Sequence, residues 1–490
     1  MRRVKIAALF GAVMMLASSG LVSAQVAYQT PFATSITYQN VSANEADVQF
    51  AFRNEKSSTV INVNRRVRAN AGSSLFVGGL QGNDQLPDGF QGSAVLSANQ
   101  PIVATLVQIP QPGTSPVKNR PLSNGFNSAS SSVLLATVLK NKFNTTSVFS
   151  VQNAETNSAI DITVRLFDAD NPANPAIVIN EANIPVGAAK YFDMGKLSQV
   201  TAGTFNGSAT VTAVQSGTPT PANIVASVME LSTSSVAAKA FEGVTSGGTK
   251  IFMATALCDM FAQKQRTAYA VQNNGTATAN ITVKYSNGIN QTAAIDPGKK
   301  ASMVACDAPG MAAGFSGAAT IESVGADIVV IGKAFSQPAT PGFETAFLGE
   351  KAGAPKLALP YVRWTNDAAF NAGGPQRTFI AIQNVGTAAA NNVTVKYLDN
   401  IGNVLGTHTI ASIAASAKAN STPVDATPTT PADAAKLLEF GTGKANANGA
   451  FGGSVILEAP GGQLIAIARV ASKTADGIQV AEDYNGMAVQ

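Results

Sequence analysis

Phe315-Ser316-Gly317-Ala318-Ala319 decides how this chain is read, because three relatives of it recur along the sequence: Phe90-Gln91-Gly92-Ser93-Ala94, Phe205-Asn206-Gly207-Ser208-Ala209 and Phe451-Gly452-Gly453-Ser454-Val455. A second marker, Gln-Asn beside an apolar run, precedes each one: Gln39-Asn40, Gln152-Asn153, Gln272-Asn273 and Gln383-Asn384. The Gln-Asn pairs lie 113, 120 and 111 residues apart. Two markers in the same order, four times over, mean four copies of one domain.

Between the markers the apolar residues alternate. Val48-Gln49-Phe50-Ala51-Phe52 places one at every second position, and so do Ile162, Val164 and Leu166. Ile281-Thr282-Val283-Lys284-Tyr285 and Val393-Thr394-Val395-Lys396-Tyr397 repeat the pattern almost residue for residue. That period belongs to strands buried on one face. Each copy has room for about seven short strands, so the chain reads as all-β: four tandem immunoglobulin-like antiparallel β-sandwich domains. Their expected bounds are residues 28–128, 129–246, 247–352 and 353–490. The fourth carries two insertions, at Arg363–Gly374 and at residues 421–449, the latter with a short helix started by Thr430 and Pro431. A propeller blade, at roughly 40–45 residues, does not fit the period. After each Phe-x-Gly marker, two apolar runs flank turn residues, as Gly325-Ala326-Asp327 precedes Ile328-Val329-Val330-Ile331. Such a pair reads as a hairpin. The Phe is expected to plug the core, and the Gly to allow close backbone approach. Laid end to end, four such domains make a rod on the order of 100 Å.

The first 24 residues read as a signal peptide. Arg2, Arg3 and Lys5 precede the apolar run Ile6–Leu16, and Val22-Ser23-Ala24 fits a cleavage site, so the mature chain is expected to start at Gln25. The run is shorter than the ~20 residues that span a bilayer, and no transmembrane segment is expected. Removing the leader leaves 30 basic against 29 acidic residues. A near-neutral chain carries no footprint for nucleic acid. The expected location is extracellular or at the cell surface. In that compartment Cys258 and Cys306, the two cysteines, are expected to form a disulfide within the third copy.

In copies three and four, Gln-Asn is followed by a glycine turn and then Val-Thr-Val-Lys-Tyr or its near twin. Asn273-Asn274-Gly275 and Asn384-Val385-Gly386 form the turn. This pattern resembles the bacterial Ig-like surface repeat domains of the cell-adhesion-related type, in which an Asn-x-Gly turn precedes an alternating strand. The resemblance implies exported surface or adhesion modules and brings no catalytic residues with it.

The chain reads as no enzyme and calls for no cofactor. His408 is the single histidine, which leaves few options for multi-histidine metal sites or Ser-His-Asp triads. Asp168, Asp170 and Asn171 are weak calcium candidates, because they are also ordinary turn formers. Tyr361, Trp364 and Phe370 near the first insertion of copy four are candidates for ligand contact, since aromatic rings on a loop can stack on a sugar or anchor a partner. The function expected is a non-catalytic structural protein of the cell surface or extracellular matrix, self-assembling into filaments or a surface layer. The alternative is an adhesin or carbohydrate-binding module using the copy-four loops. The expected partners are copies of itself or cell-surface polymers. The arm Gln25–Thr34 is a candidate donor for strand addition.

Overall fold

The computed structural model describes residues 32–111, 116–232, 236–337, 343–367, 375–446 and 449–489. The signal segment, most of the N-terminal arm and Phe370 lie outside them. Repeat one holds β1 (Phe32–Asn40), β2 (Ala46–Asn54), β3 (Ile61–Val67), β4 (Gly72–Phe76), β5 (Gly92–Ala98), β6 (Ile102–Pro110) and β7 (Leu122–Asn124). Repeat two holds β8 (Ser132–Lys140), β9 (Thr146–Asn153), β10 (Ile160–Asp168), β11 (Ile177–Ile184), β12 (Ala189–Asp193), β13 (Phe205–Gln215), β14 (Ile224–Leu231) and β15 (Lys239–Glu242). Repeat three holds β16 (Lys250–Cys258), β17 (Arg266–Asn273), β18 (Ala279–Tyr285), β19 (Asn290–Ile295), β20 (Lys300–Val304), β21 (Phe315–Val324), β22 (Ile328–Phe335) and β23 (Glu344–Leu348). Repeat four holds β24 (Lys356–Leu359), β25 (Trp364–Thr365), β26 (Gln376–Asn384), β27 (Ala390–Asp399), β28 (Val404–Ile413), β29 (Lys418–Ser421) and β30 (Thr427–Pro428), then helix α1 (Asp433–Leu437). It closes with β31 (Gly453–Glu458), β32 (Leu464–Lys473), β33 (Gln479–Asn485) and β34 (Met487–Ala488).

The fold is all-β, with two antiparallel sheets per repeat. Repeat three shows the plan: sheets β16-β21-β18-β19 and β20-β17-β22-β23 face each other. β17 pairs with β20 and β18 with β21, the cross-pairing of an immunoglobulin sandwich. The outer strands are exchanged: β16 lies on β21, and β22 lies on β17. The hairpin reading of the Phe-x-Gly region is therefore corrected. The strands on either side of the turn sit in opposite sheets in all four repeats: β5/β6, β13/β14, β21/β22 and β31/β32. The turn residues between two apolar runs are the same for a hairpin and for an arch that crosses the core.

The two sequence markers have separate structural meanings. Each Asn is a buried staple. Asn273 donates Nδ2 to the Ala277 and Ile295 carbonyls at 2.7 Å each and accepts from the Gly275 amide at 2.8 Å. Asn153 and Asn384 make the same three bonds, to Ser158, Ile184 and Glu155 and to Ala388, Ile413 and Gly386. Asn40 reaches Asn44, Arg68 and Ser42 in the same way. Each staple ties the turn after its strand to the end of the fourth strand position, satisfying backbone groups that would otherwise be stranded. Gly92, Gly207 and Gly453 sit where backbones touch, and Gly317 where the Ser286 hydroxyl comes close. A Cβ on Gly207 would collide with the Phe167 carbonyl, and one on Gly92 with that of Arg53. Phe205 plugs its core at 2% exposure, but Phe451 is 51% exposed, which corrects the expectation for copy four. Phe440 takes its place. Its ring meets Tyr397 edge-on at 5.4 Å, as Phe315 meets Tyr285 at 6.2 Å in repeat three.

The repeats do not lie end to end. Tyr191 Oη of repeat two donates to the Gly92 carbonyl of repeat one at 2.6 Å, and Ser93 Oγ donates to Gly187 O at 2.7 Å. Ser208 Oγ of repeat two donates to Gly298 O of repeat three at 2.8 Å. Lys418 Nζ of repeat four donates to Gly317 O of repeat three at 3.0 Å. The circuit then closes: Ser454 of repeat four lies against Gly72 of repeat one, and Val103 of repeat one packs with Ala358, Leu398, Ile456 and Met487 of repeat four. The cores are shared around this ring. Val329, Ile331 and Ala346 of repeat three join the core of repeat two. Ile465 and Ile467 of repeat four join that of repeat three. Val107 and Leu122 of repeat one join that of repeat four. A closed ring of four sandwiches replaces the expected rod.

Candidate functional site

The ring has a centre, built from one C-terminal strand of each sandwich. β7 packs on β15, β15 on β23, β23 on β33 and β33 on β7. These strands carry polar residues into the interior. Asn119 donates Nδ2 to the Ala238 and Ala481 carbonyls at 2.7 and 3.2 Å, and so touches repeats two and four together. Asn124 donates to the Asn485 carbonyl at 2.8 Å. Asn485 donates to the Leu348 carbonyl at 3.0 Å and to Glu350 Oε1 at 2.7 Å, and accepts from the Leu348 amide at 2.9 Å. The Asn124 amide donates to Glu242, and the Arg120 amide to Glu482.

Ion pairs stitch neighbouring repeats around this centre. Glu230, fully buried in repeat two, accepts from Lys333 Nζ of repeat three at 2.6 Å. Lys239 bonds Glu344 and lies 3.7 Å from Glu230. Thr137 donates to Glu230 at 3.2 Å and accepts from Lys300 at 3.4 Å. In repeat four Arg469 grips Asp483 with bonds of 2.9 and 2.7 Å, and Thr345 of repeat three donates to the same carboxylate at 2.6 Å. A buried pair costs several kcal/mol to desolvate, so its geometry fixes partner and register more than it adds stability.

Protonation follows from these surroundings. Burial drives Glu230 up, but Lys333 and Lys239 outweigh it and hold the carboxyl below its ordinary value. At Glu242, Glu350 and Glu482 burial wins instead, even against Lys351 near Glu350 and Arg120 near Glu482: it pushes the first two up to about 7 and Glu482 to about 8. Burial, with Lys333 beside it, pushes Lys300 down to about 7. The centre is a packed electrostatic joint whose net charge changes near neutral pH.

The residues singled out in the sequence are scattered over the ring. Cys258 and Cys306 form a disulfide with Cα atoms 4.9 Å apart. Asp259 lies close to both sulfurs, and this is the one such acidic or thiol cluster among the described residues. The disulfide removes the thiols as ligands, and Arg266 takes Asp259 at 2.6 and 3.0 Å. Asp168 accepts from the Asp170 and Asn171 amides and from Asn171 Nδ2, at 2.9, 3.3 and 2.9 Å. Asp170 is held by Lys142 at 2.6 Å and Asn206 at 2.9 Å. These oxygens serve a turn and an ion pair. His408 is half-buried with Nδ1 2.9 Å from Ser421 Oγ.

Of the aromatic candidates, Tyr361 is buried and covered by the Arg363 guanidinium at 4.4 Å. Trp364 lies on β25, half-exposed, with Phe379 of β26 at 6.0 Å and the Arg377 guanidinium 4.8 Å over its ring. Phe379 is 45% exposed. The sequence reading missed Phe379, although its place in the apolar alternation of β26 put it on the outward face.

No family model matches the chain, and no curated protein matches it. Three solved structures resemble it. One is a tetra-tandem repeat in the extending region of a large adhesion protein, at 13% identity over 92% of this chain and 94% of that chain, with a TM-score of 0.10. A second is a 1.5-MDa bacterial ice-binding adhesin described for host cell surface retention, at 13% identity over 70% of this chain and 90% of that chain, with a TM-score of 0.11. A third is a Ca2+-stabilized adhesin from an Antarctic bacterium that binds ice, at 14% identity over 93% of each chain, with a TM-score of 0.11. Likenesses at these scores carry no inference about this chain.

Proposed function

We propose that this chain is an exported, non-catalytic structural protein of the cell surface or extracellular matrix, joined to copies of itself or to surface polymers. The observation that supports this reading is the closed ring. Four sandwiches share cores around a circuit and are pinned at the centre by Asn119, Asn124 and Asn485. Shared cores and buried ion pairs suit a rigid block that holds shape under load. The test is electron microscopy of the purified protein and of the native cell surface. Ordered filaments or lattices built from ring-shaped units are expected. Dispersed single particles, with no copies retained at the cell surface, would overturn the proposal.

A second reading, adhesion, is favoured by the Trp364–Phe379–Arg377 patch, where an exposed ring, a half-exposed ring and a cation sit together. Such a patch suits a sugar face or a partner's side chain. Glycan-array binding that is lost on Trp364→Ala, with the melting temperature unchanged, supports adhesion. Binding unaffected by that change removes the patch from consideration.

A further inference from the structure

Among the described residues, one strand position of the ring is unfilled. In repeats two, three and four the first strand lines the outer edge of the sixth-position strand: β8 on β13, β16 on β21 and β24 on β31. The sheet of repeat one stops at three strands, β3-β2-β5, and among the described residues no strand pairs with the outer edge of β5. Tyr191 and Gln152 of repeat two donate to the Gly92 and Ala94 carbonyls. In an antiparallel ladder the outward groups alternate, so Leu96 and Ala98 face the same way. Val95, at 37% exposure, Ser97 and Ala98 are open to solvent, whereas all six residues of β31 are buried or half-buried.

The opposite wall of this gap differs from its counterparts too. Elsewhere the outer face of the second sheet lies under the preceding repeat's first strand and is buried: Ala270, Gln272, Val329 and Ile331 in repeat three, Gln383, Ile465 and Ile467 in repeat four. In repeat two Val225, the counterpart of Val329, is buried as well, but the other equivalent residues are polar and half-buried. Ser150, Gln152 and Ser227 line the face, and the two serine hydroxyls lie 2.9 Å apart.

A chain that begins at Gln25 cannot fill the gap itself. β8 ends at Lys140 and β9 starts at Thr146; β16 ends at Cys258 and β17 starts at Arg266. The connection therefore takes at least five residues. Counting back from Phe32, only Gln25 and Val26 would remain, where β8 and β16 each have 9 residues. We propose that the gap accepts residues Gln25–Thr30 of a second copy of this chain as a strand antiparallel to β5. Six extended residues reach about 20 Å. Val26 and Tyr28 share one face, suited to the core edge at Leu96. Gln25, Ala27 and Gln29 share the other, suited to Ser150, Gln152 and Ser227. Pro31 ends the strand. Main-chain bonds along an exposed edge supply the affinity, as in β-augmentation generally.

The inference rests on removal of residues 1–24 and deepens the proposed self-association. Intact mass of the exported chain tests the leader first; a mass showing residues before Gln25 overturns the inference at that step, without touching the ring. Sedimentation of the chain beginning at Gln25 then tests the gap. Association that rises with concentration is expected, with monomers alone once Gln25–Thr30 is deleted. A labelled synthetic peptide of residues 25–30 should bind the deleted chain one to one, and a Val26→Asp, Tyr28→Asp peptide about tenfold more weakly. A monomeric Gln25 chain, or association that survives the deletion, refutes the strand exchange. Surface lattices that persist in the deleted chain would leave the structural reading standing while removing this mechanism.

Discussion

Replacing Asn273 by alanine is the sharpest way to ask whether the four repeats act as one body. The side chain is fully buried and makes three hydrogen bonds, at 2.7, 2.7 and 2.8 Å. Each is worth about 1 kcal/mol net, and the carbonyls left without a donor add to the loss, so the substitution should cost about 3–5 kcal/mol. How this appears on heating depends on the ring. Unfolding entropy is about 2.1 cal/mol/K per residue. If all four repeats melt together, that cost lowers a single transition by only about 3–5 °C. If a repeat of ~110 residues melts alone, one transition drops by about 13–22 °C while the others stay put. Shared cores predict the first outcome, with Asn40, Asn153 and Asn384 giving similar shifts. Differential scanning calorimetry reads it directly. A cost below about 1 kcal/mol would refute the staple. A large drop confined to part of the heat absorption would refute the cooperative ring.

The central carboxyls predict an unusual pH profile. Glu242, Glu350 and Glu482 hold their protons well above the ordinary 4.5, so the folded chain binds more protons than the unfolded one between pH 4.5 and about 7 to 8. Their contribution falls as pH rises through that window. Lys300, lowered from 10.5 to about 7, acts in the opposite sense, adding stability from pH 7 towards 10.5. Urea midpoints should pass through a minimum near neutral pH, and Glu482→Gln should shallow the falling limb; a profile flat from pH 5 to 8 contradicts this. Gly207→Ala would drive a methyl into the Phe167 carbonyl and should destabilise by several kcal/mol, of the order seen for forced overpacking, about 1–3 or more; a loss under 0.5 kcal/mol, the ordinary range for a surface change, would show the strands free to separate. Breaking Cys258–Cys306, which closes 48 residues, should cost about 4 kcal/mol by the chain-entropy account and leave the ring assembled; dissociation of the repeats on reduction would assign the bond a larger role.

Much of the plan was legible in the sequence. The Gln-Asn marker recurs because its Asn does the same work four times, whereas the work of the Phe-x-Gly marker varies from repeat to repeat. The Asn closes a turn inside its repeat, while the Ser of Phe-x-Gly-Ser meets the next repeat, as Ser93 and Ser208 show. The ring itself left a signal that the rod reading passed over. Val133 to Leu139 and Ile328 to Ile331 are buried throughout, on both faces of their strands. Continuous apolar runs of that kind require cover on each side, whereas β2 alternates because its outer face is solvated. The exchange of outer strands left no comparable trace, since an arch and a hairpin use the same turn residues. Nor could the marker reveal that Phe440, eleven residues upstream, stands in for Phe451. The inserted helix brings it there: Thr430 and Asp433 bond each other at 2.7 Å at its start, and Leu437 and Phe440 turn into the core.

The measurement that bears most directly on the closed ring is a cross-link between its first and last repeats. A Cβ placed on Gly72 would lie 3.3 Å from the Cβ of Ser454, close to the ~3.5–4.5 Å spacing of a disulfide. In a rod those positions would stand several domain lengths apart, each about 27 Å. The Gly72→Cys, Ser454→Cys chain should therefore oxidise spontaneously to an intramolecular bond, found by mass spectrometry of the peptides at any dilution. Free thiols at both positions in the folded protein, or bonds formed only between chains, would contradict the ring.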